Sequence, residues 1–226
     1  MSITSRQARA ARAHLALEQK DVHAGTGIST NQISTFERGT AGLSTTNLTK
    51  LENFYRSRGV DFLDNEGIRQ SPQGSIRQLE GSSGFEAFLD DVYQTAITHG
   101  TKQNPCEVFL SNVVHENWIR WMGPEKWLNH TTRMTKDKNV MDVRIIVQEG
   151  DLNFPAQAYS KYKWMPKDRF KEKSFYSYHD KLAFLNFTED NVKITIIRQI
   201  DFAEGYRNHF LDTWDYAART PQGSSQ

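Results

Sequence analysis

The segment Gln19–Gly39, QKDVHAGTGISTNQISTFERG, decides how this chain is to be read. Its spacing predicts two short helices joined by a tight turn, the helix-turn-helix unit that lays a helix in the DNA major groove. Gln19–Ala24 is expected as the first helix, with Val22 facing inward. Gly27 supplies the backbone freedom of a sharp helix-to-helix turn, and Ile28 is the apolar plug beneath it. Ser29 is a good N-cap, because its hydroxyl accepts from amides at the start of the next helix. That helix is expected over Thr30–Arg38, with Ile33 and Phe36 turned to the core and Gly39 ending it. Its outer face keeps Thr30, Asn31, Gln32, Ser34 and Thr35, short hydrogen-bonding side chains that suit base edges and phosphates. They suit plain water equally well. What favours DNA is that the Gln start, the central Gly, the two Ile and the Phe-Glu-Arg-Gly ending fall in one register.

On these residues the chain resembles the lambdoid-phage repressor and Cro family, also called the XRE type, across residues 3–58. The resemblance implies a compact bundle of about five helices. Its first helix runs from Thr4 as N-cap to Leu15, with Ala8, Ala11 and Leu15 on one face and Arg6, Arg9 and Arg12 on another. A fourth helix starts near Ser44, carries Leu48, Leu51 and Phe54 inward, and ends at Gly59 after Arg56 and Arg58, which complement the helix dipole. By the same resemblance Gln19 holds a DNA phosphate, Ser29, Thr30, Asn31 and Thr35 reach phosphates or bases, and Arg12 pairs with Glu37. The expected DNA-contacting set is Gln19, Ser29, Thr30, Asn31, Gln32, Ser34, Thr35, Arg38 and Thr40. Glu18 departs from the family, which has Ser, Thr or Asn there; a carboxylate still suits the helix N-terminus.

At 226 residues the chain has room for two modest domains. Mean hydropathy is −0.67, and no apolar run approaches the ~20 residues of a membrane span. A signal-peptide apolar region is absent from the start. Cys106 is the one cysteine, which excludes an internal disulfide framework, so a reducing cytoplasm is the expected compartment. Residues 1–60 hold eight Lys/Arg against four acids, a charge of +4; with +1 for the whole chain, the rest sums to −3. A basic module on a slightly acidic body fits DNA contact by the first module only.

The expected organisation is an all-α helix-turn-helix domain over 1–68, a Ser/Gly/Gln/Pro-rich linker over 69–83, an α/β domain over 84–218 and a disordered tail over 219–226. In the second domain Phe85, Phe88, Leu89, Val92, Tyr93, Ala96 and Ile97 mark a helix that Gly100 stops. Strands are expected at 106–110, 143–147, 174–178, 181–187 and 192–198, with a Trp-rich helical stretch at 115–135. A closing helix over 201–218 stacks Phe202, Tyr206, Phe210 and Trp214. The fold class is therefore α + α/β, with helices packed on a mixed sheet. All five Trp lie in this half; core and dimer interface account for them better than an effector pocket.

The meander SFYSYHDKLAFLNF, then VKITIIR and the closing aromatic helix, resembles one repeat of the phospholipase D-like fold over residues 84–217. Enzymes of that superfamily carry His-x-Lys and an Asp further on. Here His179 and Lys181 are followed by Asn186. Two apart on a strand, His179 and Lys181 point to one face, where they can meet a phosphate. The chemistry needs a second His as general acid, so two copies must meet. One copy and an Asn in place of the Asp imply a degenerate site, and no catalysis is expected. The remaining His show no metal spacing, no phosphate-cradling Gly motif appears, and neither cofactor nor metal is expected.

The main expectation is a prophage-type repressor that binds an inverted-repeat operator on double-stranded DNA as a homodimer, its second domain pairing chains or receiving a small-molecule or protein effector. The alternatives are a phosphodiesterase or nuclease targeted to DNA, and an antitoxin-like interaction protein.

Overall fold

The computed structural model describes residues 3–221. It divides into two compact units, Met1–Pro72 and Gln73–Gln226. The first holds α1 (Ser5–His14), α2 (Gln19–Thr26), α3 (Thr30–Glu37) and α4 (Thr45–Ser57), then a hairpin of β1 (Val60–Phe62) and β2 (Ile68–Gln70). Local chemistry sets each start. Thr4 accepts from the Gln7 amide while the Gln7 side chain returns to the Thr4 amide, and Ser29 and Gln32 do the same for α3. Gly27 ends α2 at φ +71°, a backbone that side chains seldom adopt. The apolar stripes of the four helices meet in Ala8, Ala11, Val22, Ile28, Ile33, Phe36, Leu51 and Phe54. Buried Gln7 ties α1 to the hairpin, donating to Leu63 O and Gly67 O at 2.9 and 3.1 Å. Where the resemblance implied about five helices, the unit closes with this hairpin, because Gly59 and β-branched Val60 end α4 in extended chain.

The second unit is a seven-stranded mixed sheet in the order β3-β9-β8-β7-β4-β5-β6. Its elements are β3 (Ser75–Glu80), α5 (Gly81–His99), β4 (Cys106–Val113), α6 (His115–Met122), α7 (Pro124–Lys136), β5 (Met141–Gln148), β6 (Ser160–Met165), β7 (Ser174–Tyr178), β8 (Lys181–Phe187), β9 (Val192–Arg198) and α8 (Ile200–Asp212). Strands β4, β5 and β6 run parallel; the remaining pairs are antiparallel. Helices α5, α6 and α7 cover one face over Val108, Leu110, Val143, Ile145 and Tyr176. Helix α8 covers part of the other over Phe109 and Ile146, through Phe210 and Trp214.

Four expectations are corrected. The stretch 69–83 is not a linker: it holds the end of β2, all of β3 and the start of α5, because β9 offers an open edge that Ser75–Glu80 completes. The helical stretch at 115–135 breaks into two at Gly123–Pro124. Helix α8 stops at Asp212 and continues as a π-helical turn, Thr213–Ala217. Of the expected tail, Arg219 pairs with the backbone of Trp164 on β6, and residues 222–226 lie outside the described residues. The Trp residues serve the core: Trp118, Trp127 and Trp214 are buried. No helix among the described residues is long and apolar enough to cross a membrane.

Gly100 marks the tightest backbone crossing. A Cβ there would fall inside contact distance of Val140 O, with Ala96 O and Cys106 N at 2.8 Å. Backbone cannot yield as a side-chain tip does. Gly100→Ala is expected to destabilise the second unit by about 3 kcal/mol, a fall in Tm of roughly 6–12 °C read by calorimetry. An unchanged Tm would mean that this crossing is loose.

Candidate functional site

The recognition segment is held from behind by one carboxylate. Glu37, the last residue of α3, is buried and accepts Arg12 Nε at 2.7 Å and Arg12 Nη2 at 2.8 Å, the parallel fork of a guanidinium on a carboxylate. Arg12 also donates to Leu17 O at 3.1 Å, and Gln19 Nε2 donates to Glu37 at 3.0 Å. The hydrogen bond to Glu37 raises the pKa of Arg12, so the guanidinium stays charged. One network thus joins α1, α2 and α3. It engages a donor of Gln19 that the resemblance assigned to a phosphate.

On the outer side of α3, Thr30, Asn31 and Ser34 make no side-chain hydrogen bond within the chain, among the described residues. Thr30 and Asn31 are exposed and Ser34 half-buried. The other expected contacts have partners of their own. Ser29 and Gln32 close the capping box, Thr35 donates to Asn31 O and Gln32 O, Arg38 to Ser34 O, and Thr40 to Thr35 O. Thr30, Asn31 and Ser34 are therefore the side chains presented without an internal role.

In the second unit the expected trio of His179, Lys181 and Asn186 is not brought together. His179 lies in the β7–β8 turn at φ +51°, outside either strand. Lys181 opens β8 and is buried. Its Nζ donates to both oxygens of Asp91 at 2.9 and 3.0 Å and to Thr95 Oγ1 at 2.9 Å. Asn186 lies five residues further along β8, and an odd spacing turns it to the opposite face, where its Oδ1 accepts from Lys173 at 2.6 Å. His179 and Lys181 thus do not share one strand face.

Sequence reading missed Asp91, Thr95, His99 and Arg207. The first three lie four apart on α5 and so form one line along the helix. Asp91 takes Lys181 and the Tyr178 hydroxyl, the latter at 2.9 Å. His99 stacks on His179 with ring centroids 3.7 Å apart and planes at 20°. Arg207 donates to His179 O at 2.7 Å and lies 3.4 Å from Glu107. Burial lowers the pKa of His179, Asp180 opposes that, and Lys181, Arg207 and Arg198 add to it. The stacked rings border a cleft of about 770 Å3 that is also lined by Glu107, Asp142, Lys161 and Arg207. Two of its cations are already matched, Arg207 with Glu107 and Lys161 with Asp142. Cys106 lies at the cleft wall with its thiol pushed up to about 11 by burial, which keeps it unreactive at neutral pH. No group of three or more metal-ligating side chains occurs among the described residues.

No family model matches the chain, that of the phage-repressor type included, and no curated protein sequence matches it. Solved structures are similar at a distance. TrmBL2, an archaeal chromatin protein with a novel mode of DNA binding, shares 8% identity over 70% of this chain at a TM-score of 0.40. This chain covers 56% of that one, just over half its length. Nuc from Salmonella typhimurium, a phospholipase D family member, shares 12% identity over 66% of this chain and 100% of its own, TM-score 0.43. NucT from Helicobacter pylori shares 8% over 65% and 99%, TM-score 0.42. The expectation of a chain without enzymatic activity does not stand beside these last two, one of them a phospholipase D family member.

The buried pair has a stability signature. Lys181→Met strands the Asp91 carboxylate in the core and is expected to cost about 3–5 kcal/mol in urea unfolding, whereas Asp91→Asn with Lys181→Met recovers most of that loss. A single variant within 1 kcal/mol of wild type would show that water reaches Asp91.

Proposed function

We propose that the chain is a double-stranded-DNA-binding regulator that reads its site with α3. The observation that carries the reading is the outward row Thr30, Asn31 and Ser34 on a helix fixed from behind by Arg12–Glu37–Gln19. Small amide and hydroxyl groups match base edges, Asn to adenine above all, and a rigid backing keeps them in register with the groove. Exposed Arg6, Arg9 and Arg38 supply cations for phosphates, so affinity falls steeply as salt rises. One eight-residue recognition helix makes few contacts, and specific sites of this type place two of them on half-sites about 34 Å apart. This supports an inverted-repeat site bound by two copies. In fragments selected from random DNA, Asn31→Ala is expected to relax discrimination at one base pair by about 1–3 kcal/mol, while Arg9→Ala weakens all sequences evenly. Unchanged discrimination in Asn31→Ala would remove the assignment of α3 as the reading helix.

A second reading is favoured by the His99–His179 stack, which places two imidazoles of one chain side by side without a second copy. In it the cleft hydrolyses phosphodiesters. His179 attacks phosphorus, the bond to the departing oxygen breaks, and protonated His99 gives that oxygen its proton. Water then cleaves the phosphorus–nitrogen bond as His99 takes its proton back. The rings touch in this structure, so substrate enters only by parting them. His99→Ala and His179→Ala are each expected to lower nicking of plasmid and hydrolysis of bis(4-nitrophenyl) phosphate by about 10²–10⁴-fold, with duplex affinity unchanged. Wild-type protein without turnover would end this reading and leave the first intact.

A further inference from the structure

The sheet of the second unit has an uncovered half-face. Strand residues alternate between faces, and the register fixes which residues share the α8 side: Phe184 and Asn186 on β8, Lys193, Thr195 and Ile197 on β9, and Ile76, Gln78 and Glu80 on β3. Helix α8 packs on β4, β7 and β8, so Leu182 is buried, whereas Ile76, Gln78, Glu80 and Lys193 on the outer strands are exposed. Ile76 is 64% exposed and Phe184 37%. From α8 itself, Phe202 is 55% exposed, and Tyr206, one turn further on, touches Phe184 edge-on at 5.4 Å. Sheet face and helix flank therefore form a band of apolar side chains open to water, which a stable chain seldom leaves without a partner.

We propose that this half-face is the surface on which a second copy of the chain docks, the two related by a two-fold axis. The occupant follows from charge. Lys193 and Glu80 are direct cross-strand neighbours at one end of the band, and neither makes an ion pair within the chain among the described residues. The rim thus presents a cation and an anion side by side, with Lys173 reaching Asn186 next to them. A two-fold contact presents identical surfaces to each other, so a rim of one sign would repel itself, whereas Lys193 of one copy can meet Glu80 of the other twice over. An acidic or basic partner would leave one of the two charges facing its like. The need for a pair rests on the reading of α3 as a DNA-recognition helix; the surface itself does not.

Sedimentation of the full chain tests this. Wild type, 26.0 kDa per chain, is expected to dimerise in a concentration-dependent way. Ile76→Asp and Phe202→Asp, both at exposed positions, raise the dissociation constant by roughly tenfold or more. Lys193→Glu and Glu80→Lys each weaken the homodimer, and mixing these two variants restores a heterodimer, because both cross-contacts then pair opposite charges. A wild type that stays monomeric, or a dimer indifferent to Ile76→Asp and to both charge changes, overturns the proposal. DNA selection on the same protein separates the two questions. Sequence-specific binding by a monomer leaves the α3 reading standing while this surface fails, and a dimer with no duplex affinity does the reverse.

Discussion

A carboxylate taken out of water needs its charge and lone pairs met, and each unit of this chain is arranged around one that is. In the first, Glu37 closes α3 and gathers Arg12 from α1 and Gln19 from α2. In the second, Asp91 on α5 gathers Lys181 from β8 and Tyr178 from β7. Such pairs add little net stability compared with apolar residues of the same shape. Their effect is on orientation. Glu37 fixes how α3 is rolled about its axis, and hence that Thr30, Asn31 and Ser34 point outward. Asp91 grips the residues flanking the β7–β8 turn, and hence sets where His179 stands.

The sheet shows the same coupling of chemistry to placement. Strands β4 and β5 are apolar on both sides, with Val108 and Leu110 under α5 to α7 and Phe109 and Ile146 under α8. Neither is an edge strand; both lie between helical layers on the two faces of the sheet. Strands β8 and β9 alternate instead: Ala183, Leu185, Ile194 and Ile196 are buried, while Phe184, Asn186 and Lys193 are exposed. Alternation suits strands covered fully on one face and only partly on the other, and it leaves on the second face a mixture of apolar and charged side chains.

What could be read in the sequence was local. Capping at Thr4 and Ser29, the helix start near Ser44, the turn at Gly27 and the apolar stripes of the helices depend on residues three or four apart, and these features appear where the spacing put them. What could not be read was non-local. Ser75–Glu80 has no clear alternation and looks like a linker; it is a strand because β9, more than a hundred residues away, has an open edge. Strand β6, SKYKWM, hides behind its lysines. The His179–Lys181 spacing argued for one face of a strand, but a positive φ at His179 puts that residue in a turn and sends the two side chains to different partners on α5. Asp91, Thr95 and His99 were legible as a line, yet nothing in their own segment named Lys181, 90 residues further on, as the counter-charge.

The electrostatics of the two candidate sites divide the labour between them. The cleft beside His179 is nearly self-neutral, since Arg207 faces Glu107 and Lys161 faces Asp142, so a nucleic acid gains little long-range attraction there. The first unit, Met1–Pro72, keeps a surplus of +2, nine Lys/Arg against seven acids, although Arg6 meets Glu66 and Arg56 meets Asp61. Attraction to a polyanion therefore originates in the first unit. Chain connectivity then holds the second unit at an effective concentration that a weak site does not reach by diffusion, of the order of mM for a short connection. If α3 binds DNA as proposed, a cleft with weak affinity for phosphodiesters would still be held beside them, and a weakly pairing face would still close between chains on neighbouring half-sites. Under either proposal the behaviour of the second unit would depend on whether the first is occupied.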